Sequence, residues 1–584
     1  MELRLTSVQK PIPKAAPWSH SQPPEHAAGG MRALVEWLIL LALAVVIFRG
    51  FALEGYMVST GSMAPCLLGY HNRVTCPACH LEFACGAAPP DDAFQGAEVR
   101  GDASVGIAST ADSQAHVACP NCGQTGIPLG SFSRTEGDQL LVHKNAFAWR
   151  ERLRGQGPRR WEVAVFRSPE DATTPYVKRV VGLPGEQLEL KDGDVYVDGR
   201  LARKPLATQL GIRIPVTLHD FQPDDDDPDW RPRWSSVARN SNWTSDGSRF
   251  LLKASGATAP STAGRSPETA SLDWIEYRHW QRAGGIHRSS VELSAWPEGV
   301  EPPNPLLSSL EYDAEPQRLT CFGALPHRSW RRWDEMTDDE EFRRAVRRLY
   351  VRSHVAPLTN TLEYNHSHSD EESYPVRDLM LELELEWKAG TGLFVMEMTD
   401  GANVFYAEFD FGRDQVRITA DGVDKPLRTA PLPPKLRRRP VILIMSTFDR
   451  QILLACDDAP ICEPFRYEES EDSQAALQRP VSFGGAGLDA AVNHVGLFRD
   501  VYYTPARDRP TQQFQLGADE FFMLGDNSAV SVDSRHWTNP GLRRELLIGR
   551  PLVVHLPSRP ARFQIGNRTR TIRVPDFSRI RYIQ

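Results

Sequence analysis

The sequence predicts a mainly β protein with one N-terminal transmembrane helix, a β domain after it, and a jelly-roll β-sandwich inserted into that domain. One strongly apolar run stands near the N-terminus, and short alternating apolar and polar segments bounded by turn residues follow it. The 584 residues include 45 prolines and 42 glycines, which fit a structure with many turns better than a helical bundle. At this length we expect two or three domains.

The overall charge argues against one class of partner. The formal net charge is −8 and the pI is about 6.1, whereas nucleic-acid-binding domains carry a clustered basic face. We therefore expect no nucleic-acid partner.

The apolar run covers residues 31–51, and residues 37–48 within it are uninterrupted apolar side chains flanked by Arg32, Glu36 and Arg49. A membrane-spanning helix needs about 20 residues, so this run spans a bilayer only if the flanking charges reach toward the interface. Its length also suits the apolar region of a cleavable signal peptide. Because no small-residue cleavage site follows, we favour a retained transmembrane helix, with the signal peptide as the alternative.

The segment before the run predicts the orientation. Residues 1–30 contain Pro and Ser without periodicity, which is typical of a flexible tail. A cytoplasmic N-terminus is favoured by the basic residues in and just after this tail, which are Arg4, Lys10, Lys14 and Arg32. We therefore predict a single-pass protein of the cell inner membrane, with everything after the helix on the extracytoplasmic side.

Short alternating runs after the helix predict strands. Residues 138–147, 161–168 and 176–186 each alternate apolar and polar side chains and end in turn residues. Two further alternating runs flank Asp192-Gly193, a dipeptide typical of a two-residue hairpin turn. These strands belong to the first part of the β domain.

The pattern changes in the middle of the chain. Residues 337–350 combine a capping-type start with helical spacing of apolar side chains, which predicts a helix. Between residues 376 and 503, six or more half-buried strands follow at hairpin spacing, as in a β-sandwich. The predicted organisation is a tail, a helix, a β domain in two parts and an inserted sandwich: residues 1–30, 31–51, 52–204 with 508–584, and 205–507.

The segment MVSTGSMAPCLLG, residues 57–69, places several hydroxyls directly after the apolar run. A serine hydroxyl is a weak nucleophile and needs a base within hydrogen-bonding reach. None of the sixteen histidines stands in a convincing triad context. We therefore consider a lysine whose ammonium group is forced to lose its proton.

Lys178 is the candidate base. In its alternating strand it shares a face with Tyr176 and Val180, while Arg179 points the other way. Burial lowers the pKa of a lysine, and moving that pKa from about 10.4 to about 7.5 costs about 4 kcal/mol. The structural alternative is that the Lys-Arg pair lies on a solvated strand edge and that the Ser-Thr-Gly-Ser run is an ordinary loop. Spacing alone leaves both interpretations open.

Four segments resemble, in order, the conserved boxes of type I signal peptidases, the membrane-anchored Ser/Lys endopeptidases. TGSMAPCL looks like their nucleophile box, YVKRVVGLPGE like their lysine box, and GDNSAVSVDSR like their terminal box. Soluble self-cleaving repressors share the Ser/Lys chemistry but lack the apolar anchor and VGLPGE. The resemblance covers under a third of the chain, and its boxes are residues 59–68, 137–142, 161–186 and 521–535.

The resemblance implies a role for each matching residue. Ser62 would be the nucleophile and Lys178 the general base, while Thr60 and the backbone N–H of Ser62 would stabilise the oxyanion. Ser531 would hydrogen-bond and orient the Lys178 amine. The other matching residues would support the site, Asp533 and Arg535 as a charge pair and Gly525, Asp526 and Asn527 as the turn behind it.

The chain departs from the family pattern at four places. Ser59 stands where the family commonly has Pro, and Cys66 where it commonly has Thr. Trp161-Glu162 replaces a Gly-Asp pair before the lysine strand, and Val530 replaces a frequent Asn. None of these departures removes a catalytic group, so they bear on the backbone shape near the nucleophile.

The implied function is that of signal peptidase I, a serine endopeptidase that cleaves signal peptides from exported preproteins at the membrane surface without a cofactor. Its partners would be preproteins with signal peptides and the lipid bilayer. The alternative is a membrane-tethered binding protein in which the sandwich recognises a glycan or a protein and the protease core is accessory.

The inserted strands DLMLELELEWKAGTGLFVMEMTDGANVFYAEFDF resemble the concanavalin-like, or laminin-G-like, jelly roll of extracellular carbohydrate-binding domains. This resemblance implies a carbohydrate or protein ligand for the sandwich. A structural insertion without a ligand is the alternative.

Two CxxC pairs predict a metal site. Cys76 with Cys79, and Cys119 with Cys122, can each present two thiolates to one tetrahedral ion. This spacing predicts a zinc-ribbon-like insertion over residues 73–125, with a structural zinc that keeps no open position for catalysis. Because the predicted compartment is oxidising, disulfides are the alternative.

Overall fold

The computed structural model divides into two compact units, Met1–Glu54 and Gly55–Gln584. The predicted flexible tail lies outside the described residues except for its last two positions, and so does much of the predicted zinc-ribbon-like insertion. The structure describes residues 29–583 apart from 89–114, 155–156, 172, 225–226, 239, 255–271, 283, 285–287, 305–307, 366–372, 469–476, 478, 507–511, 556 and 566–567.

The first unit contains helix α1, Gly29–Phe51, which forms over the predicted apolar run. Its first described side chains include an exposed ion pair between Arg32 and Glu36, 2.9 Å apart. Among the residues that the structure describes, no helix is both long enough and apolar enough to cross a membrane. The predicted transmembrane span over residues 31–51 is therefore not supported by the structure.

The helix predicted over residues 337–350 is confirmed as helix α5, Glu340–His354, with both ends shifted toward the C-terminus. It starts after Asp339, whose Oδ1 accepts hydrogen bonds from the backbone N–H groups of Glu341 (2.8 Å) and Phe342 (3.2 Å). Its apolar positions are buried at the expected helical spacing. The helices of the second unit are α2 Ala146–Arg154, α3 Leu206–Ile212, α4 His327–Glu335 and α5 Glu340–His354.

The mainly β character predicted from the sequence is confirmed. Strands before the inserted region are β1 Leu53–Met57, β2 His71–Thr75, β3 Glu82–Gly86, β4 His116–Val117, β5 Ile127–Pro128, β6 Arg134–Thr135, β7 Gln139–Lys144, β8 Val163–Arg167, β9 Pro175–Gly182, β10 Gln187–Lys191, β11 Asp194–Val197 and β12 Arg200–Leu201.

Seventeen strands lie in those residues of the inserted region that the structure describes. They are β13 Ile214–Leu218, β14 Trp234–Ser236, β15 Trp243–Asp246, β16 Arg249–Leu252, β17 Asp273–Tyr277, β18 Arg288–Glu292, β19 Leu310–Asp313, β20 Arg318–Phe322, β21 Leu379–Thr399, β22 Val404–Asp410, β23 Gln415–Ala420, β24 Arg428–Pro431, β25 Val441–Ser446, β26 Gln451–Cys456, β27 Ala459–Pro460, β28 Phe465–Arg466 and β29 Val481–Arg499.

The strands after the inserted region are β30 Gln513–Gln515, β31 Glu520–Leu524, β32 Leu542–Arg543, β33 Leu547–Val554, β34 Ser558–Ile565, β35 Arg568–Pro575 and β36 Arg581–Tyr582. Most of them complete sheets that were begun before the inserted region, while β34 and β35 pair with each other.

An eight-stranded sheet contains strand β9, which carries Lys178. Its order is β1-β7-β33-β8-β9-β31-β32, with β36 paired to β33. A second sheet has the order β12-β11-β10-β30. Both sheets therefore join strands from before and after the inserted region, which is the arrangement expected of a β domain in two parts. Strand β9 lies between β8 and β31, with Lys178 opposite Ala164 and Val180 opposite Met523.

The predicted hairpin around Asp192-Gly193 is confirmed. Strands β10 and β11 pair antiparallel, with Lys191 opposite Asp194. Asp192 and Gly193 have φ angles of 54° and 88°, the left-handed backbone that a two-residue turn of this kind requires.

The inserted region forms a fourteen-stranded hydrogen-bonded sheet centred on the long antiparallel pair β21 and β29. Its core is rich in buried aromatic side chains, among them Trp234, Phe394, Phe409 and Phe483. The predicted strands are thus present, while the jelly-roll topology and the separate domain over residues 205–507 stay predictions. Smaller sheets are β18-β20-β19, β3-β2-β6, β34-β35 and β4-β5.

Candidate active site

The loop between β1 and β2 presents Ser62, and we call residues 58–70 the nucleophile loop. Met63 and Leu67 of this loop are fully buried against the β domain. Asp138, at the start of β7, clamps its two ends: the Val58 N–H donates to the Asp138 carbonyl (2.9 Å), and the Leu68 N–H donates to the Asp138 carboxylate (3.0 Å). The conformation around Ser62 is therefore fixed by packing and by hydrogen bonds.

Lys178 meets Ser62 from the middle of strand β9. Its Nζ donates a hydrogen bond to Ser62 Oγ at 2.5 Å, although the two residues are 116 positions apart. Lys178 is 4% exposed and Ser62 is 9% exposed. Lys178 lies on the same side of the strand as Tyr176, with Nζ 5.7 Å from the centre of that ring. The structure thus brings together the two residues predicted to form the dyad, on the face that strand alternation predicted.

The surroundings of Lys178 make its amine a usable base. Burial lowers the pKa of Lys178 from 10.5 to about 8, since an ammonium ion loses its hydration there. Asp533 and Asp526 act in the opposite direction because their carboxylates stabilise the ammonium, while Arg535 lowers the pKa further. With a pKa of about 8, roughly a tenth of the amines are neutral at pH 7. This is the pKa range expected of a general base.

Thr60 lies beside the nucleophile. Its Oγ1 is 3.4 Å from Ser62 Oγ, within hydrogen-bonding distance of the nucleophile. Its role in stabilising an oxyanion stays a prediction.

Ser531 is close to the dyad but does not make the predicted bond to Lys178. Its Oγ is buried and has no hydrogen-bond partner among the described residues, whereas Lys178 Nζ bonds Ser62 Oγ. Gly525 fills the space between Ser531 and the nucleophile loop. A Cβ atom at this position would collide with Ser531 Oγ and with the Ser62 carbonyl oxygen, so only glycine permits the approach.

Asp533 and Arg535 form the predicted charge pair. Arg535 Nε and Nη2 each donate to the Asp533 carboxylate at 2.8 Å, and both side chains are buried. Burial by itself raises the pKa of Asp533, but Arg535 and the donating N–H of Gly525 bring that pKa below its usual value. Asp533 therefore stays charged near Lys178.

A second buried ion pair supports the site from the opposite side of β9. Arg179 donates to both carboxylate oxygens of Asp526, at 2.8 Å and 2.7 Å, and to the Trp161 carbonyl at 2.6 Å. Strand alternation correctly predicted that Arg179 points away from Lys178, but the ion pair itself was missed. Both faces of β9 are buried in the folded chain, so Arg179 needs a charged partner there, and no local sequence pattern pointed to Asp526.

Asn527 holds the backbone of the nucleophile loop. Its N–H donates to the Ser62 carbonyl (3.1 Å) and its Nδ2 donates to the Gly61 carbonyl (3.0 Å). Asn527 therefore lies directly behind the nucleophile loop, and the supporting role predicted for residues 525–527 stays a prediction. The amide of Asn527 is held in turn by Asn365, a residue of the inserted region to which no sequence pattern pointed.

The departure at Trp161 has a visible structural consequence. Trp161 has a φ angle of 73°, a backbone conformation that glycine adopts freely and that costs about 1–3 kcal/mol for other residues. Its buried ring packs in the core beside β10 and β31 and lies 4.9 Å from Lys204 Nζ. Packing of the indole ring offsets the unfavourable backbone.

The four cysteines of the CxxC pairs lie together. Their sulfur atoms are all within 4.8 Å of one another, and all four side chains are buried. The distances from Cys76 Sγ to Cys122 Sγ and from Cys79 Sγ to Cys119 Sγ are both 3.6 Å. Zn–S bonds of about 2.3 Å in a tetrahedron place sulfur atoms about 3.8 Å apart, so the cluster fits a structural zinc. All nine cysteines are free thiols, so the disulfide alternative is not formed.

Comparison with known proteins agrees with this geometry. A family model described as "Signal peptidase, peptidase S26" matches residues 122–241, which include Lys178. The family model and the curated relatives together support a signal peptidase function for the matched region. The chain is 28% identical to Signal peptidase I of Rickettsia typhi over 102 residues, and 38% identical to that of Pseudomonas aeruginosa over 103 residues. These matches cover 15% and 16% of this chain, and 39% and 36% of the relatives.

The matched region is thus similar to serine endopeptidases of the signal peptidase type, while the chain spans less than two fifths of the length of these relatives. Solved structures resemble the chain only weakly. A carbohydrate binding module, CBM66, from Bacillus subtilis covers 21% of the chain and is itself covered to 78%, with 14% identity and a TM-score of 0.17. A likeness of this size carries no argument about the inserted strands.

Proposed function

We propose that this chain is a signal peptidase I, a serine endopeptidase that removes signal peptides from exported preproteins with Ser62 as nucleophile and Lys178 as general base. The observation that carries the proposal is the 2.5 Å hydrogen bond between the two buried side chains. Lys178 is buried beside Ser62 and can therefore activate the serine as a nucleophile, which a lysine on a solvated strand edge could not do. Two buried ion pairs, Asp533–Arg535 and Arg179–Asp526, support this arrangement.

The geometry supports a two-step reaction. Neutral Lys178 Nζ accepts the proton of Ser62 Oγ as the oxygen attacks the substrate carbonyl carbon. The backbone N–H of Ser62 and the Thr60 hydroxyl stabilise the oxyanion. The Lys178 ammonium then protonates the departing amine, which leaves an ester on Ser62. Lys178 next takes a proton from water as the water oxygen attacks the ester carbonyl carbon. The resulting Lys178 ammonium returns a proton to Ser62 Oγ as the acyl C–Oγ bond breaks, which releases the acid and restores the Ser62 hydroxyl. No cofactor takes part in this scheme.

The proposal extends to localisation. Helix α1 exposes a continuous set of large apolar side chains, which are Leu34, Val35, Trp37, Leu38, Ile39, Leu40, Leu41, Leu43 and Val45. Apolar surface of this extent is unfavourable in water. We propose that α1 holds the chain at the inner membrane with its N-terminus cytoplasmic, where the lipid bilayer is its partner and the site faces emerging preproteins.

The test of the proposed function is cleavage of a purified preprotein by the full chain across a range of pH. We expect kcat/KM to rise through about pH 8, roughly tenfold per pH unit below it, because only neutral Lys178 can accept the serine proton. The sign follows from the lowered pKa: protonated Lys178 dominates below about pH 8 and is inactive, whereas the neutral amine dominates above.

Sequencing of the product checks that cleavage occurs once, at the end of the signal peptide. The melting temperature recorded over the same pH range serves as the control for unfolding. Absence of cleavage, or a rate that stays flat or falls between pH 6 and 9 in folded protein, would contradict the proposal.

We also propose a structural zinc held by the four clustered cysteines. Four thiolate ligands complete a tetrahedral shell, so the ion would stabilise the fold and supply no catalytic water. Asn121, between two of the ligands, supports this role because its side chain bonds the inserted region, donating to the Phe221 carbonyl (2.7 Å) and accepting from the Leu218 N–H (2.7 Å).

Metal analysis of the purified chain should find about one zinc per molecule. Cys119→Ser should lose most of it, whereas Cys321→Ser, which changes a buried cysteine outside the cluster, should retain it. Chelation should lower the melting temperature of the wild type but not that of Cys119→Ser. Metal-free protein with four titratable thiols at these positions would refute the zinc site.

The alternative of a binding protein with an inert protease core is disfavoured by the intact and buried dyad. A carbohydrate or protein ligand for the inserted strands stays a prediction.

A further inference from the structure

A short segment of the inserted region packs against the back of the nucleophile loop. Residues 362–365, which we call the bracing segment, include a 3-10 turn at Glu363–Asn365. Leu362 and Tyr364 of this segment cluster with Ala64 and Leu68 of the nucleophile loop. A part of the chain that shows no protease motif therefore contacts the loop that carries Ser62.

Asn365 forms a reciprocal amide pair with Asn527. Asn365 Nδ2 donates to Asn527 Oδ1 at 2.8 Å, and Asn527 Nδ2 donates to Asn365 Oδ1 at 2.7 Å. The two residues are 7% and 3% exposed, so water does not substitute readily for either partner. The pair fixes which way the Asn527 amide faces.

The orientation of that amide matters because Asn527 Nδ2 also donates to the Gly61 carbonyl at 3.0 Å. Gly61 immediately precedes the nucleophile. A rotation of the Asn527 amide would place its oxygen against the Gly61 carbonyl and replace a hydrogen bond by repulsion between two acceptors. The position of Ser62 thus depends on a residue 303 places along the chain, through a single intermediate side chain.

Tyr364 closes the same side of the loop. Its hydroxyl donates to the Tyr70 carbonyl at 3.1 Å. Its ring packs so closely on Gly61 that a Cβ atom there would collide with it. The ring therefore prevents the loop from moving backwards, away from Lys178.

We propose that Asn365 is a positioning residue for Ser62, and that the bracing segment makes the inserted region a structural part of the active site. The proposal rests on the proposed Ser62/Lys178 function. It implies that the inserted region cannot be removed as an accessory domain, since its removal exposes the Asn527 amide and the back of the nucleophile loop to water.

The test is the steady-state kinetics of Asn365→Ala in the full chain. Loss of the amide partner should lower kcat for preprotein cleavage by about 10- to 100-fold, the size expected from a small misplacement of a nucleophile. KM should stay within about twofold, since Asn365 does not touch the substrate. Asn403→Ala, in the turn between β21 and β22 of the same inserted region, is the matched control and should leave kcat unchanged.

Two further variants separate positioning from general stabilisation. If Asn365 acts through Asn527, the double variant Asn365→Ala/Asn527→Ala should cleave no more slowly than Asn527→Ala alone. Asn365→Asp keeps the size of the side chain but cannot donate to Asn527 Oδ1 when ionised, so it should also lower kcat. This variant tests the idea even if Asn365→Ala fails to fold.

Wild-type kcat in a folded Asn365 variant, or losses that multiply fully in the double variant, would overturn the inference while leaving the proposed function intact. Wild-type cleavage by Ser62→Ala would instead overturn the proposed function itself. The two failures are therefore distinguishable in one set of assays.

Discussion

Replacing Lys178 with methionine should abolish preprotein cleavage, with a fall in kcat of about 10⁴- to 10⁶-fold. Methionine fills much of the same buried space but offers no basic nitrogen, so the Ser62 hydroxyl keeps its proton and remains a weak nucleophile. The fold should survive because the substitution removes a buried ionisable group and leaves Asp533 paired with Arg535. Single-turnover cleavage of a purified preprotein measures the loss.

Three controls define this result. Ser62→Ala should lose as much activity, and the double variant Ser62→Ala/Lys178→Met should lose no more, because the two residues act as one unit. Lys178→Arg should also be inactive, since a guanidinium stays protonated. Lys191→Met, which removes an exposed lysine of strand β10, should cleave normally. Cleavage by Lys178→Met at the wild-type rate would exclude the dyad.

Arg179→Met should be the most destabilising single change near the site, lowering the free energy of unfolding by about 3–5 kcal/mol. The substitution strands the Asp526 carboxylate, which is completely buried and accepts two hydrogen bonds from Arg179. It also removes the donor to the Trp161 carbonyl. Urea unfolding of the full chain, followed by tryptophan fluorescence, measures the change.

The double variant Arg179→Met/Asp526→Leu should recover much of the lost stability, because replacing both partners leaves no unpaired charge. Arg543→Met is the control, since the Arg543–Glu545 pair is exposed on both sides and contributes at most about 1 kcal/mol. Equal stabilities of Arg179→Met and Arg543→Met would show that the buried pair contributes nothing specific.

The dyad could be predicted because a local strand pattern was combined with a family resemblance. Alternation in strand β9 placed Lys178 and Tyr176 on one face, and the ordered boxes supplied the partner, Ser62, from a distant loop. The charge pair of Asp533 and Arg535 was implied by the resemblance of the terminal box, and the structure contains this contact.

The contacts that were missed depend on tertiary packing. A Lys-Arg pair in a strand gives no sign that both of its faces are covered, so the ion pair of Arg179 with Asp526, 347 positions away, left no local signal. Asn365 lies in a segment without periodicity or motif, and only the folded chain brings it to Asn527. The predicted bond from Ser531 to Lys178 is absent, since Ser531 Oγ has no partner among the described residues while the amine bonds Ser62.

The order of strands in the eight-stranded sheet determines how late in synthesis the proposed active site can be completed. Strand β9 is covered on one side by β31, and the ion pair from Arg179 to Asp526 joins segments whose synthesis is separated by 347 residues. Ribosomes add about 5–20 residues per second, so roughly 20–70 s pass between the two. During that delay the nascent polypeptide contains Ser62 and Lys178 but lacks strand β31, which pairs with the lysine strand, and Asp526, which pairs with Arg179. Under the proposed function, a newly made molecule therefore gains its buried base only near the end of its synthesis.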